Sequence, residues 1–213
     1  KFKVYRDKLK AKKLQLYAKD HDDFMKFISN LNFTTDWFSY NIPYWISIFN
    51  KLNIDRKKQL KCLEIGSFQG LSTIFILNYF KNATITCVDT WLGSREHQKL
   101  GHLKISKLES YFDRNTKSFG NRIKKVKGTS FSFFEKIKEK DYDFIYIDGS
   151  HYCDDVMIDA LKSFEILKPG GVLIFDDYIW ISNESPNEKA MGAINSFLRL
   201  KNGKYKINNI YGQ

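Results

Sequence analysis

Two short stretches carry most of the chemistry. Asp148-Gly149-Ser150-His151 and Asp176-Asp177-Tyr178 each follow an apolar run, D-F-I-Y-I at 143–147 and V-L-I-F at 172–175, of the length and composition of a buried strand. If the two runs lie in one sheet, three carboxylates reach the same edge. Buried like charges repel one another and raise their pKa values. A hard divalent cation relieves that repulsion, because magnesium prefers oxygen ligands and keeps positions open for water and substrate. Asp148, Asp176 and Asp177 are therefore candidate metal ligands; the alternative is that one caps a helix and another binds backbone amides. His151, three residues past Asp148, projects over the same edge. An imidazole ordinarily titrates at about pH 6.5, so His151 is a candidate general base, or else a satisfied surface residue. His21, His97 and His102 have no comparable neighbours in the sequence. Tyr178 and Trp180 would wall the same edge or simply pack.

Three further stretches suit a ligand. In E-I-G-S-F-Q-G-L-S at 64–72, Gly66 and Gly70 permit a tight turn, and the helix start behind them offers free amides to an anionic group. The Gly-Lys-Ser/Thr ending of a Walker loop is absent, and so is G-x-G-x-x-G. Asp89 ends the run T-I-T-C-V, where α/β nucleoside sites place a carboxylate for ribose hydroxyls; a turn or cap role is the alternative. Gly128-Thr129-Ser130 would border an adenine ring or cap the helix that follows. Loop, acid and small polar turn occur in the order an adenosine-bearing ligand needs.

The elements that must position these residues alternate. Strands are expected at 61–65, 84–88, 123–127, 143–147 and 172–175, with helices at 70–80, 98–113, 131–139 and 153–167, the last ending at K-P-G-G. A helix at 188–200 and a strand in Y-K-I-N-N-I finish the layer. This is the pattern of βαβ units. The expected fold is an α/β three-layer sandwich with a mostly parallel, Rossmann-like sheet and ligands at the carboxyl ends of its strands.

Composition limits the partners. The 213 residues hold 35 Lys or Arg against 24 Asp or Glu, a formal charge of +11, and 43% are hydrophobic. Nine of the basic residues, against four Asp, fall in residues 1–26, where Phe2, Tyr5, Leu9 and Leu16 lie near helical spacing. Residues 1–30 are expected to form a basic amphipathic appendage, with the main domain at 31–213. The aromatic block at 36–45 either caps the core or walls a pocket. Three Cys with no CxxC pair argue against a disulfide framework or zinc and for a reducing, cytoplasmic setting. No run approaches eighteen apolar residues, so no membrane span is expected. The chain begins at Lys1 and stops at Gln213, as a segment of a longer polypeptide would.

Taken in order, E-I-G-S-F-Q-G-L-S, V-D-T-W, G-T-S, Y-I-D-G-S-H, L-K-P-G-G and F-D-D-Y resemble a class I S-adenosylmethionine-dependent methyltransferase. The closest similarity is to the metal-dependent sugar O-methyltransferases related to macrocin O-methyltransferase, and it covers roughly residues 36–213. The resemblance implies that Glu64, Gly66, Ser67, Gly70 and Ser72 hold the methionine part of the cofactor, Asp89 the ribose, and Thr129 and Ser130 the adenine edge. It implies that Asp148, also beside the cofactor, joins Asp176 and Asp177 as a magnesium ligand, and that His151 takes the acceptor's proton. The acceptor is then a small-molecule or glycan hydroxyl, with a sugar diol ahead of a catechol. A nucleic-acid acceptor is not expected, because base-amino enzymes of this fold carry Asn/Asp-Pro-Pro-aromatic where this chain reads D-D-Y-I. A non-catalytic ligand-binding domain is the remaining alternative.

Overall fold

A computed structural model describes residues 15–94, 97, 101, 104–137, 140–179 and 189–208. Its centre is one all-parallel sheet of Lys61–Ile65 (β1), Thr84–Asp89 (β2), Ile123–Lys127 (β3), Tyr142–Ile147 (β4) and Leu167–Phe175 (β5), in the order β3-β2-β1-β4-β5. The order reverses between β1 and β4, which opens a crevice at the carboxyl ends of those two strands. Around the sheet lie Ala18–Phe27 (α1), Ile42–Lys51 (α2), Leu71–Tyr79 (α3), Leu108–Thr116 (α4), Ser130–Lys136 (α5), Cys153–Ile166 (α6) and Ala190–Leu200 (α7). This is the expected Rossmann-like sandwich.

Successive side chains of a strand point to opposite faces, and here they feed two cores. Cys62, Ile85, Cys87, Phe144 and Tyr146 join Trp45, Phe49, Phe75 and Phe80 in an aromatic-rich core beneath α1 to α4. Leu63, Ile65, Val88, Ile145 and Ile147 pack with Phe133 and Ile166 on the other face. α3 is apolar on every side and almost wholly buried, as a helix between sheet and outer helices must be.

The periphery departs from expectation at three places. Of the helix expected at 98–113, residues 98–100, 102 and 103 lie outside the described residues; Lys104 has non-helical dihedrals (φ −85°, ψ 85°), a 3-10 turn follows at Ile105–Lys107, and a helix runs from Leu108 on to Thr116. K-P-G-G does not lie between helix and strand. α6 ends at Ile166 and β5 starts at Leu167, with Lys168–Gly171 bulging between the pairs Tyr142–Leu167 and Phe144–Val172. Tyr205–Asn208 form no strand; the Tyr205 hydroxyl instead donates to the Leu198 carbonyl at 3.0 Å. Of the basic amphipathic face, Phe2, Tyr5 and Leu9 lie outside the described residues, and Leu16 is exposed. Phe24 and Ile28 are buried in the same core as Phe38 and Trp45. All three cysteines are free thiols, and no described helix is long and apolar enough to cross a membrane.

Candidate active site

The sheet sets the site through its backbone. Gly66 N–H donates to Val88, Asp148 N–H to Ile65, Asp176 N–H to Ile147 and Gly128 N–H to Asp89, all at 2.8–3.0 Å. The ladder thus runs one residue past the strands and fixes the first residue of four loops. Gly66 has φ +84°, and a Cβ there would stand 1.9 Å from the Asp148 carbonyl oxygen. Only glycine lets the loops after β1 and β4 pass each other this closely.

The two stretches singled out first do come together. His151 Nε2 lies 2.7 Å from Asp177 Oδ2, with the two side chains 22% and 9% exposed. Ligand atoms of Asp148, His151 and Asp177 all fall within 4.8 Å of one another. Asp177 adopts the left-handed conformation (φ +57°), and its amide donates to Asp176 Oδ1 at 2.9 Å. Asp176 itself is turned toward the protein: its Oδ2 accepts from the Tyr146 hydroxyl and from Asn41 Nδ2, the latter at 3.1 Å. The Tyr146 hydroxyl also lies 3.0 Å from Asp148 Oδ2. Burial, then the charges of Asp176 and Asp177, push the Asp148 carboxyl well above the usual range. Burial and Asp177 push Asp176 up as well. This surplus of negative charge beside an imidazole fits a divalent cation.

The glycine loop is held from below. Asp89 Oδ2 accepts from the Ser67 and Phe68 amides at 2.8 Å each, and its Oδ1 accepts from the Trp91 amide at 2.6 Å. Phe68 and Trp91 both take positive φ, +45° and +51°, so the carboxylate pins two strained turns. Gln69 anchors the same loop, accepting from the Thr34 amide at 2.8 Å. Asn115 Nδ2 donates to the Gln69 carbonyl at 3.1 Å. Glu64 is fully buried in β1, where the Thr73 hydroxyl donates to it; desolvation raises its carboxyl while Ser72, Thr73 and Ser67 hold it down. Glu64 and Thr73 therefore tie α3 to β1 beneath the loop. Gly70 N-caps α3 at φ +87° against Thr116 and Phe112.

Thr129 caps α5, its hydroxyl accepting from the Ser132 amide at 3.1 Å. Near Ser130 lies Asp159 of α6, whose burial raises its carboxyl to about 6. His97, which had no apparent neighbours, stacks on Trp37 with centroids 5.1 Å apart and planes 6° apart, and Phe68 stands 5.0 Å from both rings. Its pKa is lowered by burial and by His151. The aromatic block splits accordingly: Phe38 and Trp45 are core, and Trp37 stays 42% exposed. Trp180 lies outside the described residues. Asn41, Tyr146 and Gln69 were missed; Tyr146 carried the one available signal, a hydroxyl at the end of an otherwise apolar strand.

Known proteins agree with this architecture. A structure from Staphylococcus aureus, provisionally assigned as a caffeoyl-CoA O-methyltransferase, superposes with TM-score 0.57 over 91% of this chain and 89% of that one, at 15% identity. MycE methyltransferase from the mycinamycin biosynthetic pathway, in complex with Mg and SAH, gives TM-score 0.54 over 86% of this chain at 18% identity; the chain spans 49% of its length. At such identities the likeness is one of fold. Uncharacterized protein R132 of Acanthamoeba polyphaga mimivirus is 25% identical over 166 residues, 73% of this chain and 67% of that protein. A family model described as a methyltransferase domain matches residues 63–178, from the middle of β1 to just past the Asp176-Asp177 pair. That span is more than half of the chain and holds every loop described above, and the chain belongs to this methyltransferase domain family.

Proposed function

We propose that the chain is a magnesium-dependent O-methyltransferase that moves a methyl group from S-adenosylmethionine to a hydroxyl of a sugar or glycan. The observation that carries this reading is the meeting of Asp148, His151 and Asp177 at the sheet edge beside the Gly66 loop. When bound, S-adenosylmethionine supplies a methyl group already activated by its sulfonium, and magnesium would favour ionisation of a nearby hydroxyl. The chain's own task is then alignment, an effect that can supply about 7–11 kcal/mol. The loop from Gly66 to Gly70, shaped by Asp89, would hold the cofactor, with Thr129 and Ser130 at its adenine end. Asp148 and Asp177 would hold the cation, and Asp176, the third carboxylate the motif resemblance assigns to it, would support Asp177 from behind, its oxygens facing Asn41, Tyr146 and the Asp177 amide. His151, held against Asp177 through Nε2, would take the hydroxyl's proton.

The magnesium and sugar parts rest on the acidic cluster, the motif resemblance and the fold shared with MycE. A phenolic acceptor is the second reading, favoured by the stacked Trp37–His97 pair beside the site. On the basic side, Lys125 and Lys127 are already paired with Glu109 and Asp113, which leaves less free charge for nucleic acid. Calorimetry with S-adenosylhomocysteine, with and without Mg2+, followed by methyl transfer to a panel of sugars and catechols, tests the reading. Micromolar binding and Mg2+-dependent transfer to a sugar are expected. A folded sample that does not bind S-adenosylhomocysteine would overturn it, and transfer to catechols alone would replace the sugar.

A further inference from the structure

We propose that Asn41 is a positioning residue for the metal site, acting through Asp176 on the carboxylate of Asp177; this rests on the magnesium reading above. Asn41 lies outside the family-matched stretch, at the end of the 3-10 turn Ser39–Asn41 that leads into α2, and it is 1% exposed. Its neighbours in the chain, Phe38, Ile42 and Trp45, are core residues. The buried amide is nevertheless aimed at a carboxylate, with Nδ2 3.1 Å from Asp176 Oδ2.

The relay has three steps. Asp176 Oδ2 has two donors, Asn41 and the Tyr146 hydroxyl, but the hydroxyl is also within reach of Asp148 at 3.0 Å. A hydroxyl has one proton and serves one carboxylate at a time, so Asn41 is the donor that Asp176 does not share. Held this way, Asp176 presents Oδ1 to the Asp177 amide at 2.9 Å. That contact supports Asp177 at φ +57°, a left-handed conformation that is unfavourable for a non-glycine residue. Only then does the Asp177 carboxylate point back at His151 and Asp148. Without Asn41, Asp176 keeps only the hydroxyl it shares with Asp148, and its hold on the Asp177 amide weakens.

The test is Mn2+ binding to the full chain, followed by electron paramagnetic resonance, with S-adenosylhomocysteine binding measured in parallel by calorimetry. Partners that orient metal ligands are worth about 10–100-fold in metal affinity. Asn41→Leu should therefore bind Mn2+ at least about tenfold more weakly, with S-adenosylhomocysteine affinity within about twofold of wild type and turnover recovering at saturating metal. Asn41→Ser, which keeps a shorter donor, should fall between. Unchanged Mn2+ affinity in folded Asn41→Leu overturns the proposal, and so does a matching loss of both affinities, which marks a residue that only packs. If Asn41→Leu does not fold, Asn41→Ser with wild-type Mn2+ affinity overturns it alone. Wild-type protein that binds S-adenosylhomocysteine but no Mn2+ instead removes the magnesium reading on which the proposal stands.

Discussion

His151 Nε2 and Asp177 Oδ2, 2.7 Å apart, join the loop after β4 to the loop after β5. The contact fixes the imidazole at the edge where the two loops meet. His151→Ala should lower kcat by about 10²–10⁴, the usual worth of a positioned base, with a smaller change in acceptor KM. The pH–rate profile should lose its limb near neutral pH. A mutant that keeps that limb removes His151 from the base role.

Asp177→Asn separates metal from cofactor. It removes a negative charge from the cluster while leaving the Gly66 loop and Asp89 untouched, so S-adenosylhomocysteine affinity should stay within about twofold. Activity should fall at least about tenfold, as expected for a damaged metal site, and higher Mg2+ should restore part of it. Calorimetry and a methyl-transfer assay across a Mg2+ series distinguish this from a collapsed pocket, in which both would be lost.

Gly66 is predicted to be the least tolerant position in the loop. Alanine there puts a methyl group 1.9 Å from the Asp148 carbonyl oxygen in a left-handed conformation. Overpacking and backbone strain each cost about 1–3 kcal/mol, and β4 carries the backbone it would push against. Gly66→Ala should lower the thermal midpoint sharply and weaken S-adenosylhomocysteine binding. Gly170→Ala, at positive φ but facing open space, should cost much less.

Thr129 has two possible uses that a pair of variants can tell apart. As the cap of α5, its hydroxyl accepts from the Ser132 amide, and losing it costs about 1 kcal/mol. Thr129→Ala should therefore lower stability by roughly that amount, and Thr129→Ser should recover most of it. An adenine contact would show as a change in S-adenosylhomocysteine affinity beyond the stability effect.

Asp159 gives a stability effect of known sign. Its carboxyl titrates at about 6 in the folded chain because of burial and at about 3.9 in an unfolded one. The folded state therefore binds more protons between these values, and stability falls as pH rises through that window. Above pH 6 the cost is fully present, at most about 3 kcal/mol. Asp159→Asn should accordingly stabilise the protein at pH 7.5 and change little at pH 4. An equal gain at both pH values would mean that the effect is not ionisation.

β1, β2 and β4 were legible because they are largely buried on both faces and read as short apolar runs, whereas β3, I-K-K-V-K at the sheet edge, keeps two exposed lysines and was read from its place in the alternation. The segments 61–65 and 123–127 match β1 and β3 residue for residue. β4 begins one residue earlier than expected, at Tyr142, and β5 five residues earlier, since a bulge can place K-P-G-G inside a strand that local residue preferences would begin later. The Asp148, His151 and Asp177 cluster was legible because parallel strands deliver their following residues to one edge. Asn41 was not, since it meets Asp176 from 135 residues away and nothing local to either marks the contact. Glu64, which the motif resemblance assigns to the cofactor, sits on the core side of β1, where the Thr73 hydroxyl donates to it. His97 had its neighbours too, all contributed by distant loops.

The amides of Gly66, Gly128, Asp148 and Asp176 each remain bonded to an adjacent strand. Their loops are therefore indexed by the sheet rather than by one another, like teeth on a shared rail. Insertions in the outer segments can reshape the mouth for a new acceptor without shifting those four roots. A one-residue deletion inside β4 would instead slide Asp148 and His151 out of phase with Asp176 and Asp177, and would abolish the site while leaving each motif intact in the sequence.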